Sequence, residues 1–542
     1  MRISGHGGRL GLAALRRFGV GELFTLSGGH VFPFYDAAVQ DGTRIVDVRH
    51  EQTAVFAAEA TAKLTRRPGV AVLTAGPGIT NGVSATASAQ ANGSPLVVLG
   101  GRAPEGRWGS GSLQEFDHVP IYAPITKRSA TVRGVDDIPR ATYDAVELAL
   151  SPHRGPVFLD YPLDVLFAEG EGELPDRPWP VGPAPDPDAV ARVAALLAAA
   201  ARPALVVGSD VYWDGAWDAL RALVEVHRLP TYANGLGRGL LPADHELAAS
   251  RTRGLLRSEA DLVVVVGTPL DFRLSFGSFG DAAVVHVVDH PDRVAGHVPL
   301  AASVAGDLGT ILAALADAAG PAGDRTHDRA DWVRRVADAE AAGARAEDEA
   351  MAVDSDPIRP ARIYGELRRK LDRDAVLVCD GGDFVSYAGK YLPSYEPGRW
   401  LDAGPFGCLG TGMGYLAAAR LTHPGSQVVG LFGDGAIGFS LADVDTLVRH
   451  RLPAVMVVGN NGCWGLEKHP MRALYGYDVA ADLQEGTRYD EVVAALGGAG
   501  ETVTRADQLG PALDRAFASG VPYLVNVLTD AEDVYPRSSN LG

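Results

Sequence analysis

The sequence predicts an α/β protein of three doubly wound parallel-sheet domains, at residues 1–167, 189–345 and 357–542, with a linker at 168–188. Three observations carry this reading. Short aliphatic runs such as Val70–Leu73, Leu262–Val266 and Val428–Phe432 alternate with stretches of helical period along each of the three segments. Several of those runs end in glycine-rich turns, as strands of such sheets do at their carboxyl edge. The length of 542 residues accommodates about three domains at roughly 100–200 residues each.

In the first domain the pattern predicts a helix over Leu10–Phe18, a strand Glu22–Leu26, a helix from Phe34 and a strand Arg44–Val48. A helix Glu51–Leu64 and a strand Val70–Leu73 follow. That strand runs into Ala75-Gly76-Pro77-Gly78, a turn that could hold an anion or simply pack closely against the next helix, Asn81–Ala91. Leu96–Leu99 reads as a buried strand. Glu51 starts its helix at the sheet's carboxyl edge, where an acidic side chain either complements the helix dipole or does chemistry.

Glu169–Asp188 is rich in proline, glycine and acid without a period, which reads as linker. In the second domain, strands are expected at Ala204–Val207, Leu262–Val266 and Val284–Val288, with Asp289 closing the last and Asp307 following Ala305-Gly306. Ala330–Met351 reads as a charged, alanine-rich helix between the second and third domains. The third domain opens with a strand Ala375–Cys379 and Asp380-Gly381-Gly382-Asp383, then a glycine-rich stretch at 400–419 leading into an alanine helix.

Two further runs carry the chemistry. Val428–Phe432 ends in Gly433-Asp434-Gly435, where glycines let backbone N–H groups approach a phosphate and one carboxylate can hold a hard cation. Pro453–Val458 ends in Asn460-Asn461. If these strands are parallel neighbours, Asp434 and Asn461 emerge together, and with a backbone carbonyl and phosphate oxygens they complete a Mg²⁺ shell.

Composition excludes some partners. The net charge of −18 and pI of about 5.2 repel nucleic acid and anionic membranes, so neither is expected. Cys379, Cys408 and Cys463 are odd in number and lack zinc spacing, which suits free thiols in a cytoplasmic protein. The N-terminal segment places Leu10, Leu12, Leu15 and Phe18 on helical spacing and lacks the apolar core of a signal peptide.

GDG followed after 24 residues (436–459) by NN, in a chain that also carries RHEQ, TAGPGITN, GSLQEFDH and ITK in order, resembles a known enzyme group. These are the thiamin-diphosphate-dependent enzymes that include acetolactate synthases, oxalyl-CoA decarboxylases and 2-hydroxyacyl-CoA lyases. The resemblance covers essentially the whole chain and implies pyrimidine-binding, central nucleotide-binding and diphosphate-binding domains, in that order. It implies thiamin diphosphate and Mg²⁺, with the metal held by Asp434, Asn461 and the main-chain carbonyl of Cys463. Gly382, Asp383, Gly433, Gly435 and Ala436 would hold the cofactor, and Leu409 would wedge between its two rings. Glu51 falls on the family's cofactor-activating glutamate, bonded to the aminopyrimidine, and Gln114 on its active-site glutamine. A homodimer is implied at minimum, and a homotetramer is expected. In the central domain, HELAASRTRGLLRSEAD at 245–261 lacks the GMHG insertion of FAD-bearing synthases. Structural ADP is therefore expected in preference to FAD, on Arg253, Asp289 and Asp307.

Within the group, WLDAGPFGCLGTGMGYLAAA and the tail VYPRSSNLG most resemble 2-hydroxyacyl-CoA lyases, including actinobacterial ones that cleave 2-hydroxyisobutyryl-CoA to acetone and formyl-CoA. The implied substrate is an acyl-CoA, covered by a tail containing Arg537, Ser538 and Asn540, although a polar C-terminus can equally be frayed. Glu467, His469 and Glu485 are candidates for taking the 2-hydroxyl proton. Acetolactate synthase remains an alternative, because QEF and ITK suit it, but its M-V-x-Q-W segment is missing. Oxalyl-CoA decarboxylases typically carry Tyr-Glu where this chain has Gln114-Glu115. A non-catalytic, nucleotide-sensing relative would have lost Glu51 or the metal residues.

Overall fold

The computed structural model describes residues 1–318 and 329–535. After a short strand β1 (Arg2–His6), the first sheet is made of β2 (Glu22–Thr25), β3 (Arg44–Asp47), β4 (Gly69–Leu73), β5 (Leu96–Arg102), β6 (Arg128–Thr131) and β7 (Val157–Pro162). Its order is β3-β2-β4-β5-β7-β6. A strand β8 (Glu169–Glu173) then pairs antiparallel with β1. The second sheet contains β9 (Pro203–Val207), β10 (Thr231–Ala233), β11 (Ala248–Ala249), β12 (Leu262–Val266), β13 (Ala283–Val288) and β14 (Ala302–Ala305), in the order β11-β10-β9-β12-β13-β14. The third contains β15 (Val376–Asp380), β16 (Trp400–Leu401), β17 (Val428–Gly433), β18 (Val455–Asn460), β19 (Ala499–Val503) and β20 (Tyr523–Leu528), in the order β16-β15-β17-β18-β20-β19. All three six-stranded sheets are parallel, and helices connect their strands. The fold is the expected α/β class.

Each sheet reverses its winding between two neighbours, β2 and β4 in the first, β9 and β12 in the second, β15 and β17 in the third. Such a reversal opens a crevice beyond the carboxyl ends, because the loops on either side of it turn away from each other. In the third sheet, Gly381-Gly382 and Gly433-Asp434 flank that crevice. In the second, Gly208 at the end of β9 packs closely on the Gly267-Thr268 turn after β12, since a Cβ on Gly208 would lie 2.3 Å from Thr268 Cβ and 2.5 Å from the Gly267 carbonyl oxygen.

The helix Glu51–Thr65 is buried at 13 of its 15 residues, because the first sheet covers one side and the helix Gly412–Thr422 of the third unit covers the other. Small residues make that approach possible. A Cβ on Gly414 would stand 2.7 Å from the Thr53 carbonyl oxygen. Across this seam the buried Glu59 accepts a hydrogen bond from Tyr415, and within the first unit it accepts from Asn92 and Ser94 and pairs with Lys63 at 3.0 Å.

Several expectations are corrected. Glu169–Asp188 is not wholly linker, because Glu169–Glu173 forms β8. Its alternating Glu-Gly pattern has little apolar signal, and the strand exists through backbone pairing with β1. The expected helix Asn81–Ala91 is two helices, Pro77–Asn81 and Val83–Ala91, parted at Gly82, where a Cβ would lie 2.9 Å from Leu73 Cδ1. The first helix is Gly7–Arg16. The short strands β10, β11, β14 and β16 carry too few residues to show a period. Ala330–Met351 is a helix with the expected bounds. Among the described residues no helix is long and apolar enough to cross a membrane.

Candidate active site

Register builds the site. Gly433 on β17 pairs with Gly459 on β18, so the next residues of each strand, Asp434 and then Asn460-Asn461, leave the sheet side by side. Asp434 is buried. Its Oδ1 accepts the Gly435 N–H at 2.9 Å and its Oδ2 the Gly462 N–H at 2.7 Å, which aims the carboxylate into the crevice. Burial pushes its pKa up to about 6 against the pull of those N–H groups, a cost that a bound cation would offset. Asn461 Oδ1 accepts the Cys463 N–H at 3.2 Å. Carboxylate, amide and carbonyl oxygens are the donor set that a hard divalent cation takes.

These groups line a cavity of about 460 Å³. Gly382, Asp383, Leu409, Gly433, Asp434, Gly435, Ala436, Asn461 and Cys463 all face it, so the structure brings the expected diphosphate-side residues together. The glycines leave room. A Cβ on Gly433 would meet no atom of another residue closer than Gly381 Cα at 4.0 Å. The cavity therefore fits a diphosphate and its cation. Its far wall belongs to the central unit and includes Arg238, Arg253 and Arg273. Arg273 pairs with Asp271 at 2.7 Å, whereas Arg238 and Arg253 have no ion-paired carboxylate among the described residues. Burial lowers the pKa of both, that of Arg253 to about 10.

Leu409 rides on a loop that sequence reasoning did not anchor. The wholly buried Asp380 carboxylate accepts the Gly410 N–H, at 3.1 Å to each oxygen, and the Gly412 N–H at 2.9 Å. Its position at the head of DGGD was the available signal.

The first unit places Glu51 and the TAGPG turn together. Glu51 is 6% exposed, its Oε2 accepts Asn81 Nδ2–H at 2.9 Å, and a Cβ on Gly78 would lie 3.5 Å from Oε1. Asn81 is a partner that helical periodicity could not reveal. The adjacent Gln52 donates from Nε2 to the Leu409 carbonyl at 3.2 Å, and Thr53 donates to Asp443 at 2.6 Å. Gln114 sits at a left-handed φ of 59°, against Gly76, whose N–H donates to His118 Nε2 at 2.9 Å. His118 Nδ1 in turn lies 3.0 Å from Asp160. Neither Glu51 nor Gln114 lines the cavity of its own chain.

The three residues expected to hold a nucleotide are each engaged within the chain. Arg253 faces the cavity and donates to the Ala233 carbonyl, but Asp289 is engaged by His153 and Asp307 caps the helix Leu308–Asp317 through the Thr310 N–H. Each lies at a different strand end, and sequence alone does not show which of them point the same way. Of the three proton-acceptor candidates, Glu467 lines the cavity, and His469 and Glu485 do not. Arg537, Ser538 and Asn540 lie outside the described residues.

Family comparison agrees with this geometry. Residues 6–121 match the thiamine pyrophosphate enzyme N-terminal TPP binding domain, 190–315 the central domain and 380–527 the C-terminal TPP binding domain. The chain is a thiamine pyrophosphate enzyme. It is 51% identical over 543 residues to the acetolactate synthase large subunit IlvG of Mycobacterium tuberculosis, covering 99% of this chain and 98% of that protein. It is 35% identical to 2-hydroxyacyl-CoA lyase 2 of Caenorhabditis elegans over 579 residues, and to that of Homo sapiens over 578. Each alignment covers 97% of this chain and 90% of the relative. In this thiamine pyrophosphate enzyme, Asp434, Asn461 and Cys463 line one cavity.

Proposed function

We propose that this enzyme is a 2-hydroxyacyl-CoA lyase, cleaving the C1–C2 bond of a 2-hydroxyacyl-CoA, such as 2-hydroxyisobutyryl-CoA, to formyl-CoA and an aldehyde or ketone. The observation that carries the proposal is the cavity wall opposite Asp434, where Arg238 and Arg253 stand without carboxylate partners. A small keto acid has one carboxylate to offer two such guanidiniums, whereas the phosphates of coenzyme A can engage both. Likeness to the animal proteins named 2-hydroxyacyl-CoA lyase 2 supports the same reading.

Bound thiamin diphosphate supplies the carbon nucleophile and the electron sink that cleavage requires. The chain's own groups do the rest. Asp434, Asn461 and the Cys463 carbonyl would hold Mg²⁺, and Leu409 would pack against the cofactor's rings. Glu51 would hold the proton exchanged with the aminopyrimidine. Glu467 accepts the 2-hydroxyl proton; partial burial, and then Asp383, raise its pKa, which makes it the better base. Gln114 can both donate to and accept from the substrate.

Because Glu51 and Gln114 do not face their own chain's cavity, the working enzyme is a homodimer or a homotetramer in which a second copy completes the site. Trp108, Leu113 and Phe116 beside Gln114, and Leu474, Tyr475, Tyr477 and Val479 beyond the metal loop, are exposed apolar side chains suited to that contact.

Acetolactate synthase is the second reading, favoured by 51% identity to the mycobacterial protein of that name. Incubating the full chain with thiamin diphosphate and Mg²⁺, then identifying products, separates the two. Formyl-CoA and acetone from 2-hydroxyisobutyryl-CoA support the lyase. Acetolactate from pyruvate, with acyl-CoA untouched, replaces it with the synthase.

A further inference from the structure

We infer that the junction of the first and central units holds a divalent transition-metal ion, of Zn²⁺ character, between His153, Asp210 and Asp289. In this proposal the central unit takes a cation where a nucleotide was expected.

His153 comes from the loop before β7, Asp210 from the first turn of the helix Ser209–Trp213 after β9 and Asp289 from the segment that follows β13, so three separate segments each deliver one ligand to one point. Their ligand atoms lie within 4.8 Å of one another. His153 Nδ1 is 3.1 Å from Asp289 Oδ2 and 3.6 Å from Asp210 Oδ1. Zinc bonds to nitrogen and carboxylate oxygen run about 2.0–2.2 Å, which puts any two ligands no more than about 4.4 Å apart. Closing the present triangle onto one ion therefore takes movements of tenths of an ångström.

The electrostatics call for a cation. Asp289 is 1% exposed and Asp210 6%. The Asp210 carboxylate accepts no hydrogen bond from any described residue, and its one ion-pair contact is His153 at 3.6 Å. An ionised carboxylate left so far from a donor in a buried setting is costly. Of the neighbouring cations two are committed elsewhere, and the third, Arg293, acts on His153 and Asp289 only through space. Arg154 donates to Asp214 at 2.8 Å, and Lys127 to Ser151 at 2.8 Å. A bound ion would have an imidazole nitrogen and two carboxylates as ligands, with remaining positions for water.

The same geometry argues against a nucleotide. A diphosphate at the carboxyl ends of β9 and β13 would lie beside the buried carboxylates of Asp210 and Asp289, which repel it.

The test uses the full-length chain, stripped with chelator and reloaded with thiamin diphosphate and excess Mg²⁺, then titrated with Zn²⁺ and, separately, with ADP. One saturable Zn²⁺ equivalent per chain is expected, at least tenfold weaker in Asp210→Asn and in His153→Gln, with no saturable ADP binding. Asp210→Asn is nearly isosteric, and circular dichroism and thiamin diphosphate affinity verify its fold. Absence of a Zn²⁺ equivalent in the wild type overturns the proposal. So does equal Zn²⁺ affinity in a folded Asp210→Asn protein, or one ADP bound per chain. All of these readouts are independent of which acyl-CoA or keto acid the enzyme turns over.

Discussion

Replacing Asp380 by asparagine should remove a pH dependence that the wild-type chain carries. Asp380 is wholly buried, accepts the N–H groups of Gly410 and Gly412, and has its pKa pushed up by burial to about 7 from an ordinary 3.8. A carboxyl whose pKa rises on folding binds its proton more tightly in the native state. Its contribution to stability is therefore complete below about pH 4 and is lost as pH rises through about 7. A shift of about three units corresponds to about 4 kcal/mol. Asparagine has no proton to lose, so the stability of wild type relative to Asp380→Asn should fall by that amount between pH 4 and pH 8. For a unit of this size about 4 kcal/mol is on the order of 10 °C in Tm. Thermal melts of both proteins, followed by fluorescence at half-unit pH steps in one buffer series, measure it. A Tm difference that stays constant across the range would show that the Gly410 and Gly412 N–H groups fully compensate the buried charge, and the argument would fail.

Glu51→Gln should abolish turnover, by at least about 10²-fold, while thiamin diphosphate binding measured by calorimetry stays within a few-fold. Near-normal activity would remove its role. Asp434→Ala should lose tight cofactor binding in the presence of Mg²⁺, since the diphosphate is held chiefly through the metal; unchanged affinity contradicts the metal assignment. Glu467→Gln should lower kcat by about 10²-fold or more with little change in KM, and an unaltered pH–rate profile would exclude it as the base. Deleting the residues after Asp533 should raise KM for acyl-CoA and lower kcat, with Tm nearly unchanged, because Asp533 itself is fixed by Arg359 at 2.8 Å and Tyr387 at 3.0 Å. Full kcat/KM in the truncated enzyme would make the tail a frayed end.

What the sequence disclosed follows from where its signals are local. The strands that end in GDG and NN are long, apolar and punctuated, so both the strands and the placement of Asp434 beside Asn461 were legible. β8 was not, because a Glu-Gly alternation pairs only through its backbone with a partner some 165 residues away, and nothing nearby marks it. Asn81, Asp380 and His118 were missed for the same reason. Each acts through a single hydrogen bond or a few to a distant loop. Asp289 and Asp307 were assigned to one ligand because both close a strand, yet side-chain direction at a strand end is set by tertiary contacts such as His153.

The seam between the helices Glu51–Thr65 and Gly412–Thr422 explains why catalytic and cofactor residues can be divided between units without loss of precision. Lys63 donates to Tyr415 at 2.9 Å and to the Asp402 carbonyl at 3.2 Å, while Glu59 accepts from Tyr415 at 2.8 Å. A buried ion pair is a poor source of net stability, because desolvation cancels much of its attraction, but breaking it on one side costs about 3–5 kcal/mol. The pair lies within one helix, and its bonds across the seam supply registry. A slip of the two helices by one turn would cost Lys63 its bonds to the Tyr415 hydroxyl and the Asp402 carbonyl, and Glu59 its bond from Tyr415, so this alignment is favoured over its neighbours. That alignment also sets the bond from Gln52 to the Leu409 carbonyl, one residue from Glu51. The helix that carries the activating carboxylate and the loop that carries the wedge are thus positioned by a contact about two turns away from either, and substitutions at Lys63 should be felt in cofactor geometry before they are felt in the sheets.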